Sequence, residues 1–147
     1  MILADSAVVP THTADELTDY LHRAFPGGQP EMLVKVEDVT DTTIRLRRSV
    51  SADNLRPGGT VSGPTLMMVA DTVAYLMTLA QMPHGTDAVT VDLQMSFLRR
   101  PPLADLIGEG RLLRMGKRFS VVDVGILSEG SPDEVAHAMV TYAPLLG

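Results

Sequence analysis

The chain has 147 residues, 45% of them apolar and 20% charged, with a formal net charge of −6. That length and apolar share fit one globular domain with a sizeable core and exclude a disordered chain. An acidic balance with no basic block argues against nucleic acid as a partner, and the absence of cysteine excludes a disulfide framework and thiolate chemistry.

The first segment, residues 1–12, reads as a lead-in with no basic stretch followed by an apolar run, so no secretory signal is expected there. Thr13 begins a helix that runs to Phe25: it caps the first turn, Glu16 completes a capping box, and Leu17, Leu21, Ala24 and Phe25 form one apolar stripe. Pro26-Gly-Gly-Gln-Pro30 ends it. Residues 32–39 and 43–50 alternate apolar and polar side chains around a turn at Asp41 and read as a hairpin. A loop from Asn54 to Gly59 then leads into the most unusual stretch of the chain.

From Ser62 to Gln81 there is almost no polar side chain. Ser62 or Gly63 caps a helix whose first turn holds Pro64, a position where the missing N–H costs nothing. Between Leu66 and Leu79 apolar residues fall on every face, which predicts a helix buried all round. It is too short for a membrane span and carries Asp71 in its middle, so a soluble, cytoplasmic protein is expected. A carboxylate in such surroundings is costly unless something pairs with it or uses it.

Four further strands are predicted, over 88–98, 106–115, 119–127 and 134–142, joined as a meander by the turns at Met115-Gly-Lys and Glu129-Gly-Ser-Pro-Asp133. The expected architecture is α+β, six antiparallel strands curled around one long central helix. Open sheet edges remain, and the long apolar strand at 89–98 could pair with a second copy of itself, which predicts an oligomer. The nine methionines point to an adaptable interior. His12, His22, His84 and His137 have no metal-ligand spacing in sequence, so no metal site is expected.

The order of elements, together with Ser62-Gly-Pro64, Val69-Ala-Asp-Thr72, Thr90-Val-Asp-Leu93 and Phe97-Leu-Arg-Arg-Pro101, resembles the PaaI-like hotdog-fold acyl-CoA thioesterases over roughly residues 31–143. The resemblance implies a single hotdog domain, with residues 1–30 as lead-in and first helix. It also implies hydrolysis of a thioester to free acid and CoA, with no cofactor beyond the CoA of the substrate, and assembly as a homodimer or a tetramer made of two dimers. By the same resemblance Asp71 is the base or the nucleophile, Gly63 the backbone donor that polarises the carbonyl, and Thr90 the group that orients water or carboxylate. The reaction would take place on a thioester near the partner's helix start. Ser62, Asn54, Met67, Arg99 and Arg100 are the candidates for holding substrate, the two arginines through CoA phosphates.

The chain departs from the family pattern in three places. Ser62 stands at the family His, Pro64 at the second Gly, and Arg56 where an Asn is usual, with Asn54 nearby. A serine cannot replace imidazole in acid–base work at neutral pH, and these losses keep open an alternative function, non-catalytic binding or sensing of acyl-CoA. The segment His22…Phe25-Pro-Gly-Gly looks like a hotdog dehydratase motif, but it precedes the first strand and the central helix holds no Glu. A dehydratase is therefore not expected.

Overall fold

The computed structural model describes residues 11–145. Helix α1 (Ala14–Ala24) begins as the sequence dictates: the Thr13 hydroxyl accepts the Glu16 N–H at 3.1 Å while the Glu16 carboxylate accepts the Thr13 N–H at 2.9 Å. Leu17 and Leu21 are buried beneath it. A short 3-10 turn at Pro30–Leu33 replaces the predicted beginning of the hairpin, because Pro30 starts a turn that Val34 closes. Strands β1 (Val34–Val39) and β2 (Thr43–Arg48) follow, then a 3-10 turn at Ala52–Asn54 and two short strands, β3 (Leu55–Arg56) and β4 (Thr60–Val61).

Helix α2 (Gly63–Ala80) has Ser62 as N-cap, its Oγ accepting the Thr65 N–H at 3.3 Å. The remaining strands are β5 (Asp87–Phe97), β6 (Leu106–Met115), β7 (Ser120–Ser128) and β8 (Glu134–Leu145). They join β1 and β2 in one six-stranded antiparallel sheet of order β1-β2-β6-β7-β8-β5. Its inner face packs on α2, the hotdog arrangement that the resemblance implies.

Two expectations are corrected. Only β6, β7 and β8 form a meander; β5 lies beyond β8 at the far edge of the sheet. The chain after β5 returns across the molecule and is pinned where the Pro101 carbonyl accepts both the Val61 N–H at 3.0 Å and the Thr60 hydroxyl at 2.9 Å. Nor is α2 buried all round. From Thr72 to Ala80 every residue is buried, whereas Pro64 and Met67 are exposed and Gly63, Met68 and Asp71 half-buried. No element of the described chain covers that stripe.

Glycine decides how closely the helix sits. A Cβ on Gly108 would stand 2.6 Å from one Val73 methyl, and a Cβ on Gly110 2.5 Å from the other. These two inward positions of β6 must lack side chains for α2 to rest on the strand.

Candidate active site

The site grows from Asp71 outward. Thr90 on β5 and Tyr142 on β8 are register partners, so their side chains leave the sheet together on the helix side. The Thr90 hydroxyl donates to Asp71 Oδ1 at 2.8 Å and the Tyr142 hydroxyl to the same oxygen at 2.7 Å. Oδ2 has no protein donor among the described residues, which leaves it free to face water or substrate. A β-bulge between Thr90 and Asp92 interrupts the β5–β8 ladder beside this point, a common device for re-aiming a side chain next to a site. Tyr142 is buried, and burial above all, with the charge of Asp71, pushes its phenol up out of the physiological range. It is therefore a permanent neutral donor.

Asp71 lines a cavity of about 300 Å³ that runs beneath α1, with Leu21, Phe25, Tyr75, Val89 and Tyr142 among its walls. Tyr75, one helical turn from Asp71, stacks obliquely on Tyr142 with ring centroids 5.6 Å apart. Its hydroxyl donates to Asp87 at 2.8 Å and lies 3.1 Å from the Tyr20 hydroxyl. Burial first, then these hydrogen bonds, keep the Tyr75 phenol protonated. The cavity is thus aromatic-walled, with its polar groups already oriented.

Gly63 is not beside Asp71. It lies at the other end of the open stripe of α2, in a groove of about 200 Å³ with Leu66, Phe97, Arg99, Arg100 and Pro101. The space that a Cβ on Gly63 would fill is 3.7 Å from the Phe97 ring, and its N–H is one of the first-turn donors without an intrahelical acceptor. Met67 is 43% exposed between the two sites, one turn before Asp71.

The other candidates have local duties. Ser62 caps α2 and bonds the Thr65 hydroxyl at 2.8 Å. The Asn54 side chain accepts the Ser51 N–H at 3.0 Å, and its carbonyl accepts the Ser62 N–H at 2.8 Å, so it shapes the loop into α2. Arg99 donates to the Glu134 carbonyl at 2.5 Å, while Arg100 is exposed beside Gly58. The structure therefore gathers Asp71 with Thr90, and Gly63 with Arg99 and Arg100, in two separate hollows.

Sequence reasoning missed Tyr142, Tyr75 and Asp87. The signal for Tyr142 was present: Ala136, Ala138, Val140 and Tyr142 share the inward phase of the last strand, and a tyrosine on that face needs a hydroxyl partner. A larger hollow of about 420 Å³ lies on the opposite face of the sheet, but its charged residues satisfy one another. There Arg45 pairs with Glu109, Asp123 lies 3.6 Å from Arg111, and His137 sits 2.6 Å from both Asp123 and Glu134.

Comparison with known proteins agrees with this fold. The model of the thioesterase superfamily matches residues 58–134, which include Gly63, Asp71 and Thr90 but not Tyr142. A solved structure from Silicibacter sp., described as a candidate thioesterase, is 34% identical and superposes with a TM-score of 0.84 over 93% of this chain and 94% of its own. A phenylacetic acid degradation-related candidate thioesterase from Ralstonia eutropha has a TM-score of 0.75 at 24% identity, covering 86% of this chain and 98% of its own. A hypothetical thioesterase from Streptococcus pneumoniae, solved with coenzyme A, has a TM-score of 0.69 at 22% identity over 76% of this chain and 85% of its own. The last two likenesses are of fold.

Proposed function

This chain belongs to the thioesterase superfamily as a PaaI-like hotdog protein, and from that premise we propose that it hydrolyses an acyl-CoA to the free acid and CoA, with Asp71 as the base or nucleophile. The observation that carries the reading is the Asp71 carboxylate itself. One oxygen is held by two hydroxyl donors, the other has no protein donor among the described residues, and the residue lines a cavity. Such an oxygen either removes a proton from water attacking the thioester carbon or attacks that carbon directly. The oxyanion that forms needs a donor about 3 Å away. Gly63, at the N-terminus of α2, has an N–H suited to this, aided by the positive end of the helix dipole.

Within one chain these two groups are eight residues apart on a single helix, about 12 Å at 1.5 Å per residue. One carbonyl cannot be reached by both. The reaction therefore requires a second protomer, so that Asp71 of one chain meets Gly63 of its partner. The surfaces suited to that meeting are bare in the protomer: the open stripe of α2 and the edge strand β5, where Val89, Val91 and Phe97 are 47%, 52% and 51% exposed. CoA phosphates would lie along Arg99 and Arg100 beside Gly63, and the acyl group would enter the cavity walled by Phe25, Tyr75 and Tyr142.

A specific observation favours the second reading, acyl-CoA binding without turnover: the family His position is Ser62, whose hydroxyl is used as a helix cap. The deciding experiment follows CoA release with a thiol reagent across short, medium, long and aryl acyl-CoAs, for wild type and Asp71→Ala. Hydrolysis predicts a loss of kcat/KM of about 10²–10⁴-fold in a folded Asp71→Ala protein. Binding of acyl-CoA with no CoA release by the wild type would establish the sensor instead.

A further inference from the structure

Three side chains that the sequence keeps far apart meet at the junction between the start of α1 and the turn that follows α2. His12 immediately precedes the Thr13 cap, Glu16 lies in the first turn of α1, and His84 follows Pro83 after the end of α2. One ligand atom from each lies within 4.8 Å of the other two. The imidazoles of His12 and His84 meet edge to face with centroids 4.1 Å apart. They open onto a hollow of about 380 Å³ that also holds Asp19 and Tyr20.

The supports around this cluster resemble those of a preorganised ligand set. His12 is half-buried at this junction, and a ligand held in place by its surroundings is preorganised for its ion. The chain just before it is tied down where Thr11 N–H donates to the Ala80 carbonyl at 2.6 Å. Glu16 uses Oε1 in the capping box, which leaves Oε2 for another partner.

We propose that His12, Glu16 and His84 bind a divalent first-row transition metal of the zinc class, through two imidazole nitrogens and one carboxylate oxygen, with a further position open to water. Imidazole donors select zinc and its neighbours over magnesium and calcium, which require oxygen ligands. Three protein ligands with an open fourth position are a usual zinc set. The ion clamps the beginning of α1 to the end of α2. Helix α1 supplies Leu21 and Phe25 to the Asp71 cavity and Tyr20 to the Tyr75 hydroxyl, so the clamp also steadies that wall. The assignment stands whether or not the protein hydrolyses acyl-CoA.

The test is calorimetric titration of the chelator-treated full chain with zinc chloride, then cobalt chloride, with magnesium chloride as control. Saturable binding of one zinc per chain is expected, with cobalt competing and magnesium silent. His84→Ala, in an exposed turn, and His12→Ala should each weaken zinc binding about ten-fold or more, since loss of even an outer-shell partner costs that much. His22→Ala removes an imidazole that bonds the Val34 carbonyl at 2.8 Å, away from the cluster; it should bind zinc like wild type. Zinc should raise the melting temperature of wild type and leave that of His84→Ala unchanged. Absence of saturable zinc binding, equal binding in wild type and His84→Ala, or magnesium binding as tight as zinc would each overturn the proposal.

Discussion

The two halves of α2 solve the same problem in opposite ways. In the buried half, polar side chains are satisfied close to home: the Thr72 hydroxyl donates to the Met68 carbonyl and the Thr78 hydroxyl to the Ala74 carbonyl, each at 2.8 Å. Thr78 adds one tertiary partner, Ser120 at 2.5 Å. In the open half, Asp71 takes its donors from two distant strands and, among the described residues, keeps one oxygen unpaired. A polar group that the helix itself can satisfy is structural. One that the fold serves from afar and leaves half-open is available for the chemistry proposed for Asp71.

Substitutions on each side can break this contrast, and the largest effect belongs to the buried half. Leu76→Ala removes a fully buried side chain beneath the sheet and should lower unfolding stability by about 2–5 kcal/mol. Asp71→Ala should reverse that pattern, losing turnover while its denaturation midpoint stays near wild type. A similar midpoint loss in both variants would make Asp71 a structural residue.

Gly63→Pro is next. Proline is tolerated at the first helical position but removes the N–H, so kcat should fall about 10²–10³-fold with the melting temperature little changed. Undiminished turnover would remove Gly63 from the oxyanion role.

Tyr142→Phe keeps the packing and deletes one donor to Asp71. A hydrogen bond to a charged group contributes about 1.5–3 kcal/mol, so kcat should fall by about 10–150-fold with KM nearly unchanged. An equal loss in a variant far from Asp71 would point to packing instead.

The smallest effect lies on the far face of the sheet. His137 is held between Glu134 and Asp123, whose hydrogen bonds raise its pKa above 6.5, chiefly through Glu134, while partial burial opposes them. Its folded pKa being raised, the stabilisation is complete below pH 6.5 and disappears as pH rises through the folded value. His137→Gln should flatten that part of the stability–pH curve, measured by urea melts, and the partly exposed pair limits the change to under about 1 kcal/mol.

Much of this molecule was legible in the chain. The capping box at Thr13 and Glu16, the Ser62 cap, the strand positions and the anomaly of Asp71 all follow from contacts within a few residues or from a repeating pattern of apolar side chains. Those signals are local, so sequence carries them directly. The inward phase of Tyr142 was carried there too, though it went unread, and Gly108 and Gly110 fall within a predicted strand.

Only the tertiary structure decided which neighbours those residues have. Periodicity says which face of a strand is buried but not which strand lies beside it. The crossover that carries β5 past β8 therefore had to be seen before Thr90 and Tyr142 could be placed together on Asp71. The same long-range closure set Gly108 and Gly110 under Val73, left one stripe of α2 uncovered, and joined His12 and Glu16 to His84. These contacts depend on how the whole sheet curls around one helix, a choice settled by packing all the elements at once.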